Sequence, residues 1–206
     1  WGQLLQADSG TPVHIALTAN TAERMKWVGL GLADLTAGGT GNSGMLLEGD
    51  GPYAARDAGP YRLRAVWAQS SSASGFFTRG DSAFNTPRDI QPGTRLVDMT
   101  YVGSQKIVDG LLAWAGLTRK DVVWVPAADA KEKNQLVLDG AADIAFGTPT
   151  AASMYAAEKN PHGIKWLDMN SETDPEGAAR FLEIDPLIGF TPIPIGGPSS
   201  LGVWGP

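Results

Sequence analysis

Gly31-Leu32-Ala33-Asp34-Leu35-Thr36-Ala37-Gly38 returns later in the chain as Gly140-Ala141-Ala142-Asp143-Ile144-Ala145-Phe146-Gly147. Each copy closes a helical stretch with Gly, runs through a short apolar strand and opens into small polar residues. The first opens into Gly39-Thr40-Gly41-Asn42-Ser43, the second into Thr148-Pro149-Thr150. A buried parallel strand reads as a brief apolar run followed by turn residues. Ligands of open α/β sheets sit at the loops leaving the carboxyl ends of the strands. Two such loops far apart in sequence predict two similar lobes with a cleft between them. The competing reading is that Gly-x-Ala-Asp is an ordinary helix-to-strand turn.

The bulk composition narrows the function classes. The 206 residues are 43% hydrophobic and 18% charged, enough for one domain or two small ones. The net charge of -6 and the lack of any Lys/Arg run argue against nucleic acid or an anionic membrane surface as partner. Cys is absent, which removes disulfides, thiolate metal sites and a Cys nucleophile. No apolar stretch approaches the length of a membrane span, so no membrane insertion is expected. Trp1 to Gln6 reads as the tail of a helix, and Leu201 to Pro206 stops as an apolar run resumes. No basic-then-apolar signal segment stands in these residues. These ends predict a piece of a longer chain.

Strand and helix signals alternate along the sequence, the α/β pattern. Strands are expected at 13–17, 35–37, 61–69, 95–99, 122–125, 144–146 and 164–167. Helices are expected at 22–30, 104–115, 131–138 and 151–158, with single turns at 45–48 and 86–90. Ile107, Val108, Leu111, Leu112 and Ala115 share one helical face, closed by Gly116. The polar run Ser70 to Gly75 reads as a lobe boundary. Residues 186–190 read as the return crossing. The expected architecture is two-lobed α/β, each lobe a mostly parallel sheet with flanking helices. One lobe takes 1–70 with 187–206 and the other takes 71–186.

Two segments carry a resemblance. One runs from Thr86-Pro87-Arg88-Asp89-Ile90 through the next strand to Gly103-Ser104 and the helix ending Ala115-Gly116-Leu117. The other runs from Asp139 to Thr150. In this order they resemble the TAXI family of solute-binding receptors for TRAP transporters, which have the type II periplasmic binding protein fold. The resemblance runs from about Val13 to Phe190. It implies a periplasmic receptor, not an enzyme, that closes on a small carboxylate, an acidic amino acid or an oxo- or dicarboxylic acid. The implied partners are the membrane subunits of a TRAP transporter, and neither cofactor nor metal is implied. Three loops become ligand-facing: Thr40-Gly41-Asn42-Ser43, Tyr101-Val102-Gly103-Ser104-Gln105, and Thr148-Pro149-Thr150. The chain departs from the family in three places. The usual opening strand and glycine-rich loop would lie before Trp1, the closing helices after Pro206, and Gln105 stands where another Gly is common.

The residues support part of this on their own. A helix starting at Ser104 aims free N–H groups and the positive end of its dipole at whatever lies before it, a setting for a carboxylate. Gly103 permits close backbone approach, Ser104 can cap or donate, and Tyr101 adds an aromatic wall with a polar tip. For an isolated Gly-Ser an ordinary N-cap with no ligand is the commoner explanation, and Tyr101 is what weighs against it here. Thr148 reads as a cap and Pro149 as the first helical residue, with Thr150 a second hydroxyl. Trp67 and Gln69 end a strand just before the Ser-rich crossing, facing either a cleft or a core.

Other chemistries find less. Gly39-Thr40-Gly41-Asn42-Ser43-Gly44 satisfies the dinucleotide fingerprint G-x-G-x-x-G, the basis of an alternative reading as a nucleotide-binding enzyme. Its following helix is expected to break early at Gly49, Gly51 and Pro52, and Arg62 to Arg64 stand where an acid would meet the ribose. A sensory ligand-binding domain of the same fold is the other alternative. His14 and His162 sit near no nucleophile elbow, no catalytic residue is assigned, and no His/Asp/Glu spacing suggests a metal. Asp34 and Asp143 hold matching turn positions, which points to structure. Asp81, Asp174, Glu176 and Asp185 read as solvated surface, and Trp27, Trp114, Trp124 and Trp166 as core.

Overall fold

The structure, a computed structural model, describes residues 2–18, 21–49, 63–66, 74–98, 102–149, 151–192 and 204–205. Its central element is a strand that enters against the grain. β1 (Gly75–Arg79) lies between β4 (Ala145–Gly147) and β5 (Ile164–Trp166) and runs antiparallel to both. β2 (Arg95–Asp98) and β3 (Val123–Pro126) pair in parallel. Leu96 bridges in parallel to Ile144, just before β4, and the Val97 N–H donates to the Ile144 carbonyl at 3.0 Å. The strand order is therefore β3-β2-β4-β1-β5, with β1 alone reversed. A sheet whose strands face helices on both sides needs continuous apolar runs. Phe76 and Phe77 meet that need by pointing to opposite faces, each into its own core.

One face is covered by α4 (Val102–Ala115) and α7 (Pro175–Ile184). The apolar stripe of α4 packs on α7 so closely that a side chain on Gly110 would stand 2.8 Å from the Phe181 ring. The other face is covered by α5 (Ala130–Leu138) and α6 (Ala152–Glu158), around Phe77, Val137, Met154 and Trp166. Asp129 caps α5 by accepting the N–H groups of Lys131 and Glu132, both at 2.8 Å. The 3-10 turn Pro87–Asp89 is locked by a reciprocal capping box between Thr86 and Asp89.

The earlier residues form a smaller unit. α1 (Gly2–Ser9) extends the helical reading of the first residues, though none of its residues is buried. α2 (Thr21–Gly29) and α3 (Thr40–Glu48) share a core of Ala22, Met25, Met45 and Leu46, with Leu63 against it. α3 packs against α4, and Leu187 comes to within 2.7 Å of where a Gly44 side chain would begin. Past α7, Phe190 returns to the larger core, edge-on to Trp114 and Phe181. β6 (Thr191–Pro192) and β7 (Trp204–Gly205) form a short antiparallel pair.

Several expectations are corrected. Residues 13–17 and 35–37 form no strand, and neither do residues 63–66, the described part of 61–69. Leu17 is 89% exposed, Leu35 60% and Val66 78%. A strand exists only through a neighbour that takes up its N–H and C=O groups, and the described residues supply none beside these runs. The expected single turn at 45–48 is instead the end of α3, which runs for nine residues to a left-handed Gly49. Helix α7 was not expected at all.

Two acids read as surface are structural. Asp174 accepts from Arg88 Nε at 2.6 Å, Arg88 Nη2 at 2.7 Å, Trp114 Nε1 at 2.6 Å and the Gly177 N–H at 2.9 Å. The Arg88 guanidinium, then the Gly177 N–H and Trp114 indole, hold its carboxyl well below the usual range against the opposing cost of burial. Asp185, at the end of α7, is 2% exposed, and burial pushes its carboxyl up while Lys106 of α4 and the Leu187 N–H oppose this.

Gly177→Ala would set a methyl 2.1 Å from Trp114 Nε1, so the indole must leave Asp174 or the helix must shift. The expected cost is about 2 kcal/mol, read from the midpoint of urea unfolding. Asp174→Asn tests the same node by pH. A depressed carboxyl stabilises fully above its unfolded pKa of about 3.9, and the contribution fades as pH falls toward the lower folded value. Wild type is expected to exceed Asp174→Asn in stability at pH 7, with the gap closing below about pH 4 in acid titrations of the two proteins.

Candidate functional site

The first candidate loop is the opening turn of α3. Gly39 precedes it in extended conformation with no side-chain cap, and Thr40, Gly41, Asn42 and Ser43 follow within the helix. The Ser43 N–H and hydroxyl both turn back to the Gly39 carbonyl, each at 3.1 Å. Asn42 is only 9% exposed, and its side-chain oxygen is buried with no hydrogen-bond partner. A buried acceptor left unmade costs more than an ordinary hydrogen bond returns, so such a group calls for a donor.

The second loop is the opening turn of α4. The helix begins at Val102, so Gly103, Ser104 and Gln105 lie inside the first turn and not ahead of it. Ser104 is buried and Gln105 exposed. Tyr101 lies outside the described residues, as do Trp67, Gln69 and Thr150.

The third loop differs from its expected form. Thr148 caps no helix and Pro149 does not start one. The Ala151 N–H donates to the Thr148 carbonyl at 2.9 Å, making a tight turn between β4 and α6. That turn moves the helix start past Ala151, which carries no side-chain cap. Pro149 is buried in this turn and Thr148 half-buried.

A residue that sequence reasoning passed over stands beneath this third loop. Lys133 on α5 is 5% exposed, and its ammonium donates to the Phe146 carbonyl of β4 at 2.9 Å. The same ammonium lies 5.5 Å from the centre of the Phe77 ring, in cation–π range. Burial lowers its pKa to about 8. The helical spacing carried the signal: Lys133 and Asn134 sit four residues before Val137 and Leu138, and all four are buried.

The dinucleotide reading loses its loop. That fingerprint needs its glycines in the turn ahead of a helix, where backbone can wrap a pyrophosphate. Gly41 and Gly44 are inside α3, and Gly44 faces Leu187. Asp143 is held by Arg95, whose Nη2 and Nε reach its carboxylate while its backbone N–H donates to it at 2.8 Å, so the turn role is structural. Among the described residues no group of three His, Asp or Glu could hold a metal, and no helix is long and apolar enough to cross a membrane.

A scan against protein-family models and a search of curated proteins both return no match. Solved structures do resemble the chain. The periplasmic aliphatic sulphonate binding protein SsuA from Escherichia coli aligns over 90% of this chain and 63% of its own, at 18% identity and TM-score 0.56. The BvgS periplasmic VFT2 domain of Bordetella pertussis covers 89% of this chain and 74% of its own, at 17% identity and TM-score 0.46. The periplasmic sulfonate-binding protein SsuA from Methylobacillus flagellatus covers 55% and 38%, at 16% identity and TM-score 0.36. The chain spans less than two thirds of the length of either SsuA protein. The likeness to the Escherichia coli protein shows the fold: the α/β fold of the periplasmic binding proteins, as the sequence predicts.

Asn42→Leu removes the unpartnered acceptor and keeps a side chain of similar bulk. The empty protein is expected to hold its stability or gain about 1 kcal/mol, measured by urea unfolding. A loss of that size would mean the amide is satisfied within the protein.

Proposed function

We propose that this chain is the ligand-binding part of an extracytoplasmic solute receptor that closes around a small anionic solute and hands it to a membrane transporter. The observation that carries this reading is the fold, shared with a periplasmic binding protein over nine tenths of the chain. The mechanism is hinge closure. Residues 1–70 and 187–206 form one lobe, 71–186 the other, and the crossings near 69–74 and 186–190 bend. Two contacts support the second crossing: Leu187 reaches Gly44 of α3, while three residues on Phe190 anchors in the opposite core. The opening turns of α3 and α4 and the exit turn of β4 supply the binding surface, with Thr40 to Ser43, Tyr101 to Gln105, and Thr148 to Thr150 as ligand contacts. Trp67 and Gln69 line the hinge side.

The solute we favour is a carboxylate, an acidic amino acid or an oxo- or dicarboxylic acid. Main-chain N–H groups and hydroxyls replace its water, and a donor on the solute completes Asn42. The transporter is of the TRAP type, with this chain as its TAXI-family receptor in the periplasm. Nothing in this cycle makes or breaks a covalent bond.

The test is thermal unfolding of the full-length protein against glutamate, glutamine, 2-oxoglutarate, succinate, ethanesulfonate, glucose, NADP and ATP. A ligand at about a hundred times its dissociation constant adds roughly 2.7 kcal/mol, a shift of about 5 °C or more for a chain this size. Stabilisation by a carboxylate is the expected result. Stabilisation by ethanesulfonate or glucose alone keeps the receptor and replaces the solute class, whereas a nucleotide alone overturns the receptor reading.

A further inference from the structure

Lys133 is a buried cation without a counter-ion. Among the described residues no carboxylate lies within ion-pairing distance of its ammonium, whose polar contact is the Phe146 carbonyl. The titratable groups on the elements packed around α5 are occupied or turned outward. Arg79 of β1 is paired with Asp81 at 2.5 Å. Tyr155 of α6 is exposed, and Glu158 at its end makes no bond to the ammonium. On α5 itself Lys131 is exposed and Glu132 accepts the Ala128 N–H at 2.7 Å, while Asp129 is spent on the cap. β4 carries no titratable side chain, and Asp143 just before it belongs to Arg95.

A structural lysine ordinarily reaches water or a carboxylate, because a charge withdrawn from water without a partner is costly. This one is held against the last stretch of β4, and its field is poorly screened by the apolar core around it. The carboxyl end of β4 is where the fold offers a ligand its place. Phe77 and Trp166 wall the same face, closing on Gly147 so tightly that a side chain there would stand 3.1 Å from Phe77 and 3.4 Å from Trp166.

We propose that Lys133 is the fixed positive charge of an oxyanion subsite, attracting the carboxylate or sulphonate head group of a solute seated on the Phe146–Pro149 turn. The inference rests on the receptor reading and deepens it by naming the charge that selects the solute. The oxyanion supplies the counter-ion the fold withholds. With the anion bound the ammonium form is favoured, so binding draws a proton from solution at a pH where part of the free protein has lost it. The free group's pKa of about 8 places that uptake between roughly pH 8 and the ordinary lysine value of about 10.4.

The experiment is titration calorimetry of the full-length protein and of Lys133→Met with 2-oxoglutarate, ethanesulfonate and glucose. Runs at pH 7 and pH 8.5, each in two buffers of different ionisation enthalpy, read the protons taken up. Wild type is expected to bind an oxyanion at pH 7 with little proton exchange and to take up a fraction of a proton at pH 8.5. Lys133→Met is expected to stay folded, to bind the same anion about thirtyfold more weakly, and to lose the uptake at pH 8.5. Equal affinity in the two proteins, or weaker binding with the uptake unchanged, would overturn the subsite. If Lys133→Met does not fold, the uptake by wild type decides alone: its presence supports the subsite and its absence overturns it. Glucose binding without any anion overturns the subsite and leaves the receptor standing, and no binding by any of the three, with none in the unfolding panel, overturns both.

Discussion

The carboxylate of Asp174 is the joint on which one half of the larger core depends. It receives two guanidinium N–H groups from Arg88, the indole N–H of Trp114 and the N–H of Gly177. Those donors come from the 3-10 turn, from α4 and from α7. One acid thus caps α7, holds the indole of the buried Trp114, and holds the turn that leads into β2. Arg180 repeats the tie from the other side by donating to the Ala113 and Trp114 carbonyls at the end of α4. Both ties hold the carboxyl-terminal turn of α4 against α7.

The two copies of the repeated phrase show what local sequence decides and what it does not. Gly31 and Gly140 both adopt positive φ, 73° and 71°. In each copy the Gly N–H reaches back three residues, and the next two N–H groups share the carbonyl four residues before the Gly. The helix stop is therefore the same, as the matching residues imply. The paths then part. Asp143 is seized by Arg95 at the start of β2, which draws Ile144 to Leu96 and β4 into the sheet. Asp34 stays exposed, and no described strand lies beside Leu35. A helix stop is written in five or six residues, but a strand is written in its partner.

That distinction explains which parts of the fold were legible. The strands and helices of residues 95–166 appear within a residue or two of their expected positions, because partners and cores lie in the same stretch. Helix α7 was missed because Asp174 and Glu176 were read as solvated surface, although Asp174 caps the helix and Pro175 opens it. The α/β class was visible, whereas β1 was not among the expected strands, and its reversed sense leaves no mark on its own residues. At the candidate site, Thr40 to Ser43 and Gly103 were read as loop and stand instead inside the first turns of α3 and α4. The burial of Asn42 and of Lys133 was not, because each depends on neighbours distant in the chain.

The reversed insertion of β1 also dictates the order in which the molecule can assemble. β2, α4 and β3 meet through nearby residues and can associate as soon as they are made. β1 leaves the ribosome before all of them, yet its two neighbours, β4 and β5, are synthesised last among the strands of its sheet. Closing such long loops is slow, and contacts of this kind set the pace of folding. Through that interval Phe76 and Phe77 sit in an apolar segment with no sheet to join, the kind of exposure that chaperones recognise and that drives aggregation. Here the delay is built into the strand order, since the sheet cannot close before Trp166 has been made.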